Sequence, residues 1–157
     1  MTTDARIVQR AAVDITALRP GDVVRHVPSR TITEFDDMLV ALLTVNLAPL
    51  HIDANYSSKT PHGRRIVNGL FIASIAVGLS NQDFRPDTSR PLKIDAIDHY
   101  APTFYGNTIT CASEIKAVDD DGDRATITIR THVTNEDDQL VMTIDRALSC
   151  TISREAS

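Results

Sequence analysis

The stretch Ile66-Val67-Asn68-Gly69-Leu70-Phe71-Ile72-Ala73-Ser74-Ile75-Ala76-Val77-Gly78-Leu79-Ser80 decides the fold. Wound as a helix, it carries apolar side chains on nearly every face, so protein is expected to surround it on all sides. It contains Asn68 and Ser74 and is shorter than the ~20 residues a bilayer crossing needs, which makes it a buried helix with Asn68 as its cap. Downstream the period changes to two. Leu92 to Tyr100 is strand-like, with Ile94, Ala96 and Ile97 breaking the alternation as a bulge would. Ile109, Cys111, Ser113 and Ile115 alternate, as do Ala125, Ile127, Ile129, Thr131 and Val133. Leu140, Met142, Ile144, Leu148, Cys150 and Ile152 continue the pattern, with Arg146 as the exception. Turn-forming clusters at 119–123 and 135–138 join these strands into an antiparallel meander. One buried helix and one large antiparallel sheet make an α+β fold with the sheet wrapped around the helix.

Upstream, Pro20-Gly21-Asp22 signals a turn, and Val23 to Ile32 reads as a strand. Thr33 is placed to cap a helix whose first turn holds Glu34, Asp36 and Asp37, acids that suit the positive helix end. Met38, Leu39, Leu42 and Leu43 then form one helical stripe. From Val45 to Arg65, which includes Pro49, Pro61 and Gly63, the chain reads as irregular, apart from one short helix over Ala54 to Ser58 capped by Asp53. An ordered loop of that length is usually functional.

Composition narrows the function. The 157 residues are 42% hydrophobic and 24% charged, ordinary for a globular domain, and the whole chain (1–157) is expected to be one domain with its core at about 15–152. With 16 basic against 21 acidic residues and 4% aromatics, nucleic acid is not the expected partner. Cys111 and Cys150 lack metal-ligand spacing and read as small core residues in a reducing compartment. Met1-Thr2-Thr3-Asp4-Ala5-Arg6 is not followed by the apolar run of a signal peptide, so the expected location is cytoplasmic, with no membrane association.

Few residues invite chemistry. Asp119-Asp120-Asp121-Gly122-Asp123 superficially suggests a calcium loop, but the glycine comes too early and position twelve is Arg130, so a hairpin turn is expected. The histidines at 26, 51, 62, 99 and 132 have no zinc-site spacing, and no local Ser-His-Asp signature is present. Asn46 and His51, five residues apart and stiffened by Pro49, can hold a water and move a proton. Equally, Asn46 can close a helix and His51 can satisfy a loop carbonyl. Asn68-Gly69 opens the buried helix, whose free N–H groups can stabilise an oxyanion or a polarised thioester carbonyl. The plainer alternative there is a cap followed by a small residue.

These residues resemble the MaoC-like acyl dehydratases, the (R)-specific enoyl-CoA hydratases of hotdog fold. The family pattern Asp-x-Asn-Pro-x-His-x-Asp is similar to Asn46-Leu47-Ala48-Pro49-Leu50-His51-Ile52-Asp53. A second landmark, Phe-Gly-x-x-Ile-Val-His-Gly-Met-Leu, resembles His62-Gly63-Arg64-Arg65-Ile66-Val67-Asn68-Gly69-Leu70-Phe71. A third, Pro-Val-x-x-Gly-Asp-Thr-Leu, is similar to Pro102-Thr103-Phe104-Tyr105-Gly106-Asn107-Thr108-Ile109. The resemblance implies a single hotdog fold and reversible addition of water across the 2,3 double bond of an enoyl thioester, carried by CoA or a carrier protein. It implies no metal and no redox cofactor, and a homodimer or higher homo-oligomer. It makes His51 the catalytic histidine and Gly69 the residue whose N–H polarises the thioester carbonyl, with Asn68 beside it.

Asn46 departs from the pattern, standing where most members carry the Asp that shares the water with the histidine; an amide is no carboxylate base. Ala48, Asn68 and Asn107 replace the usual Asn, His and Asp. Thr44, Asn46, Pro49, His51, Asp53 and Val67-Asn68-Gly69 resemble instead the Thr-x-Asn-x-x-Pro-Leu-His variant of mesaconyl- or itaconyl-CoA hydratase-like members, which implies a short branched or dicarboxylic acyl group. There Asn46 would orient water or substrate while His51 transfers the proton. Two other functions compete. A non-catalytic thioester-binding or assembly protein is suggested by the missing base. A hotdog thioesterase needs an acid on the long helix, and Leu70 to Leu79 has none.

Overall fold

The alternating segments become three long strands in a computed structural model that describes residues 7–8, 13–87 and 93–151. They are β5 (Thr108–Asp120), β6 (Arg124–Thr134) and β7 (Leu140–Thr151), each antiparallel to the next. Earlier in the chain lie β1 (Ile7–Val8), β2 (Val23–Arg25), β3 (Arg30–Thr31) and β4 (Lys93–His99). The sheet runs β1-β2-β5-β6-β7-β4, with β3 also paired to β5. β1 and β2 are parallel, so the sheet is not wholly antiparallel. Its register shifts between Ile94 and Ala96, placing a bulge within β4 as the broken alternation predicts. The acidic cluster at 119–123 is the β5–β6 hairpin turn, where Gly122 takes φ 102 and Asp120 and Asp121 accept backbone N–H groups. Met1–Arg6, Leu92 and Ile152 lie outside the described residues.

The long helix, α4, runs Gly69–Phe84, starting and ending later than the apolar stretch. Asn68 caps it, its side chain accepting from the Leu70 N–H. Ile72, Ala73, Ala76 and Leu79 pack against Ile109, Cys111, Val133, Met142 and Ile144 of the sheet. A second cluster joins Phe84 to Leu18, Val24, Ile115, Ile127, Ile129, Leu148 and Cys150. Both thiols are buried, and burial pushes them up to about 12 at Cys111 and about 11 at Cys150, which suits small core residues. Enclosure on all sides is not found: Leu70, Ser74, Gly78 and Gln82, one i,i+4 row, face outward. Arg146, the break in the β7 pattern, points inward and is fully buried. Its guanidinium donates to Asn81 Oδ1 at 2.8 Å and to Ser80 Oγ on α4. Desolvation lowers it to about 10, so it remains a cation at neutral pH.

The other sequence expectations hold in part. Val23 to Ile32 is two short strands, because Pro28 has no N–H to donate and the chain leaves the ladder there. Thr33 builds a full capping box with Asp36 at the start of α1 (Glu34–Thr44). The stripe on α1, however, points mostly out: Leu39, Leu42 and Leu43 are exposed, as is Phe35, and Met38 is half-buried, while Asp37 and Ala41 are buried. The 45–65 stretch is more regular than expected. Pro49, preset for the first turn, opens the one-turn helix α2 (Pro49–Ile52), and Asp53 caps α3 (Ala54–Ser57) by accepting from Tyr56 N–H at 2.9 Å.

Candidate functional site

A cavity of about 450 Å³ opens at the N-terminal end of α4, and its lining includes Asn46, His51, Asn68 and Gly69, the four residues the sequence singles out. His62 and His99 join them. Among the described residues the lining contains no carboxylate.

Each polar group is held by a local device. α1 ends at Val45, which adopts φ 57 in the left-handed region. A β-branched residue pays roughly 1–2 kcal/mol for that conformation, and the turn sends Asn46 toward the cavity. Asn46 Oδ1 accepts weakly from Ala48 N–H at 3.4 Å, which leaves its NH2 donors available. Val45 rather than Asn46 closes the helix. His51 lies on α2, and its Nδ1 is 2.8 Å from Ile66 O. A carbonyl only accepts, so Nδ1 carries a hydrogen, and in the neutral ring Nε2 keeps its lone pair. The histidine thus satisfies a loop carbonyl with one nitrogen and keeps the other for chemistry.

The start of α4 distributes its N–H groups unevenly. Asn68 N–H donates to Asp37 Oδ1 at 2.9 Å, and Leu70 N–H to Asn68 Oδ1 at 2.9 Å. Phe71 and Ile72 N–H groups reach Asn68 O at 3.1 and 3.2 Å. Among the described residues, the Gly69 N–H alone in this turn has no acceptor. It therefore offers a donor at the positive end of a 16-residue helix, facing the cavity. A side chain here would displace His99: a Cβ on Gly69 would stand 2.3 Å from His99 Cε1 and 3.0 Å from both ring nitrogens.

A buried carboxylate ties the histidine segment to the helix start. Asp37 holds Asn68 N–H through one oxygen, and its other oxygen is 3.1 Å from the Tyr105 hydroxyl. That hydroxyl is also 3.0 Å from His51 O. Burial and the neighbouring Asp37 push Tyr105 up to about 12, so it stays a protonated donor. Asn107, in place of the resemblance's Asp, closes the adjoining turn. It accepts from Phe104 N–H at 2.8 Å and donates to Glu136 at 2.7 Å.

Sequence reading missed His62, His99, Asp37 and Tyr105. Their spacing does not link them: His62 and Tyr105 fall inside the second and third landmarks at positions the pattern gives no role, His99 lies just before the third, and Asp37 sits in the first turn of α1. The structure also builds an Asp-His-Ser chain with no local signature. His26 Nδ1 is 2.7 Å from Asp83 Oδ2, its Nε2 accepts from Ser113 Oγ at 2.8 Å, and Ser113 Oγ lies 2.8 Å from Thr131 Oγ1. Ser113 is fully buried, so this chain is a core network rather than a nucleophile open to substrate. Asp83 does put an acid on α4, but fourteen residues past Gly69, about 21 Å along the helix and away from the cavity.

Comparison with known proteins agrees with this architecture. The chain is 31% identical over 90 residues to an (R)-specific enoyl-CoA hydratase from Aeromonas caviae, a match covering 57% of this chain and 66% of that protein. It is 36% identical over 100 residues to a beta-methylmalyl-CoA dehydratase from Chloroflexus aurantiacus, covering 62% of this chain and 27% of that protein. The matches thus span less than two thirds of either relative. A solved monoamine oxidase regulatory protein from Archaeoglobus superposes with a TM-score of 0.77 at 26% identity, covering 96% of this chain and 99% of that one. Residues 16–137 match the family model of the MaoC-like domain, and the chain, with its hotdog fold, belongs to that family.

Proposed function

We propose that the chain is a hydro-lyase that adds water to, or removes it from, the 2,3 double bond of an enoyl thioester. The observation that carries this reading is the pairing, in one cavity, of an imidazole with a bare Nε2 and a helix-start N–H with no acceptor. The thioester carbonyl oxygen accepts from Gly69 N–H, which draws electron density from C3. His51 Nε2 removes a proton from a water held beside Asn46, and the hydroxide oxygen bonds to C3. The double-bond electrons move toward the thioester, forming an enolate whose oxygen Gly69 N–H stabilises. His51, now an imidazolium, returns its proton to C2; the reverse sequence is dehydration. Asn46 orients the water or a polar substrate group, and Asn68 holds the helix start in place. No cofactor enters this scheme.

The substrate we infer is a short branched or dicarboxylic acyl group on CoA or a carrier protein. Support comes from a lining of imidazoles and carboxamides without a carboxylate, which tolerates an anionic substrate, and from likeness to a beta-methylmalyl-CoA dehydratase. We also infer a homodimer: the outward apolar row of α1 and the open edge of β4 are surfaces that association would cover. Light scattering reads that directly, and a 17.2 kDa species alone at micromolar concentration argues against it.

The function is tested by following loss of the conjugated double bond across a panel of enoyl-CoAs. His51→Ala is expected to lower turnover about 100-fold or more with little change in thermal midpoint. Wild-type protein inactive on the whole panel, or a fully active His51→Ala, defeats the reading.

A further inference from the structure

One segment runs against the charge of the chain. The protein carries a net −5, yet residues 59–65 hold Lys59, His62, Arg64 and Arg65 and no acid. His62 lines the catalytic cavity. One residue on, a separate cavity of about 280 Å³ opens, lined by Ala54, Gly63, Arg64, Arg65 and Tyr105. Gly63, at φ 68, makes the turn between them. The second cavity is several times the ~30 Å³ share of one water.

Its two arginines are differently committed. Arg65 pairs with Glu34 and lies 5.1 Å from the centre of the Tyr105 ring. Arg64 has its guanidinium carbon 3.9 Å from the centre of the Phe104 ring, and among the described residues no carboxylate pairs with it. Held over the Phe104 ring and paired with no carboxylate among the described residues, this guanidinium has the fork of N–H donors that matches two oxygens of a phosphate. A basic cavity beside, not within, the reaction site fits a part of the substrate that carries charge but does not react.

We propose that this cavity binds a phosphate group of the thioester's carrier, with Arg64 as the bidentate donor. The assignment of a pantetheine thioester rests on the function proposed above. A phosphate ester terminates the pantetheine arm in both CoA and a carrier protein, and CoA adds nucleotide phosphates, so the shared ligand chemistry is an organic phosphate.

The test compares three thioesters of one enoyl acid, carried on CoA, on 4′-phosphopantetheine and on unphosphorylated pantetheine, with wild type and Arg64→Gln. A charge-assisted bidentate contact predicts that Arg64→Gln lowers kcat/KM for the phosphorylated carriers about 10–100-fold relative to pantetheine. Equal losses on CoA and 4′-phosphopantetheine place the arm's own phosphate in the cavity; a loss on CoA alone places a nucleotide phosphate there. A ratio unchanged by the substitution overturns the proposal. Calorimetric titration with CoA itself makes the same comparison without turnover, separating this proposal from the catalytic one. There Arg64→Gln should raise Kd at least tenfold, and equal affinity, or no binding by wild type, overturns it. Phe104→Leu, which removes the stack and keeps the charge, should produce a smaller loss in the same direction.

Discussion

Gly69→Ala replaces a hydrogen with a methyl group at the one glycine whose added Cβ meets a neighbour. The new Cβ would lie 2.3 Å from His99 Cε1, and ordinary carbon contacts lie at ~3.5–4.0 Å, so the imidazole must retreat by roughly 1.2–1.7 Å. It can do so. His99 is an exposed side chain at the end of β4, and an off-rotamer tilt costs ~0.5–1.5 kcal/mol. Alanine's better helix propensity returns up to ~1 kcal/mol. Net stability should therefore change by no more than about 1 kcal/mol, a shift of a few degrees in thermal midpoint. The site should not escape so lightly. The Gly69 N–H survives the substitution, but the His99 ring and the new methyl both alter the space beside it, and misplacement by about 1 Å can cost ~100-fold in rate. Steady-state hydration of an enoyl-CoA and a thermal melt measure both halves. Gly69→Ala combined with His99→Ala removes the clash and should recover much of the lost turnover. A single variant within twofold of wild type in kcat/KM, or a double variant no better than the single, refutes the reasoning.

Other outcomes are expected. Tyr105→Phe leaves Asp37 and His51 O without their shared donor. It should cost about 1–2 kcal/mol in a denaturant melt and lower kcat more than it alters KM; unchanged kcat would separate Tyr105 from the catalytic geometry. Asn46→Asp should lower activity, since a carboxylate loses the NH2 donors and sets a negative charge in the cavity; a large gain on simple crotonyl-type thioesters would instead favour a non-catalytic natural protein. His26 is held below its ordinary 6.5 by burial, which outweighs the raising effect of Asp83. The unfolded chain then takes up a proton that the folded one refuses, so stability is full above pH 6.5 and falls as pH drops toward the folded value. Thermal midpoints should decline from pH 7.5 to 5.5, and the decline should shrink in His26→Gln; identical slopes would remove His26 from that account.

The sheet was legible because alternation is a local signal with an unambiguous period, and 108–151 shows it three times over. The helix was legible as buried but not in its bounds, because Asn81, Gln82 and Asp83 look like its end. Ser80 and Asn81 are in fact recruited by a buried arginine from a strand 65 residues away in sequence. The outward row on α1 could not be read as such. Met38, Leu39, Leu42 and Leu43 have the spacing of any amphipathic helix, and spacing gives a face without saying what it faces. At the site, Asn46, His51, Asn68 and Gly69 lie within 24 residues of sequence and share recognisable motifs. Asp37, Tyr105 and His99 reach them only through tertiary folding: Tyr105 stands in a turn at a motif position without an assigned role, and a lone Asp on a helix or His on a strand carries no mark of its destination.

The arginine sealed between β7 and α4 works as a positional key for the whole helix. A buried guanidinium whose Nε already lacks a partner among the described residues depends on the donors it has matched to Ser80 and Asn81, because losing them would leave a buried charge unpaired. An aliphatic helix on an aliphatic sheet is otherwise free to creep, since one methyl contact replaces another at little loss. Sliding α4 by a single residue moves it ~1.5 Å and turns it ~100°, which would strand the cation and, eleven residues away, swing the Gly69 N–H out of the cavity. The reaction geometry at one end of the rod is thereby indexed by a charge at the other.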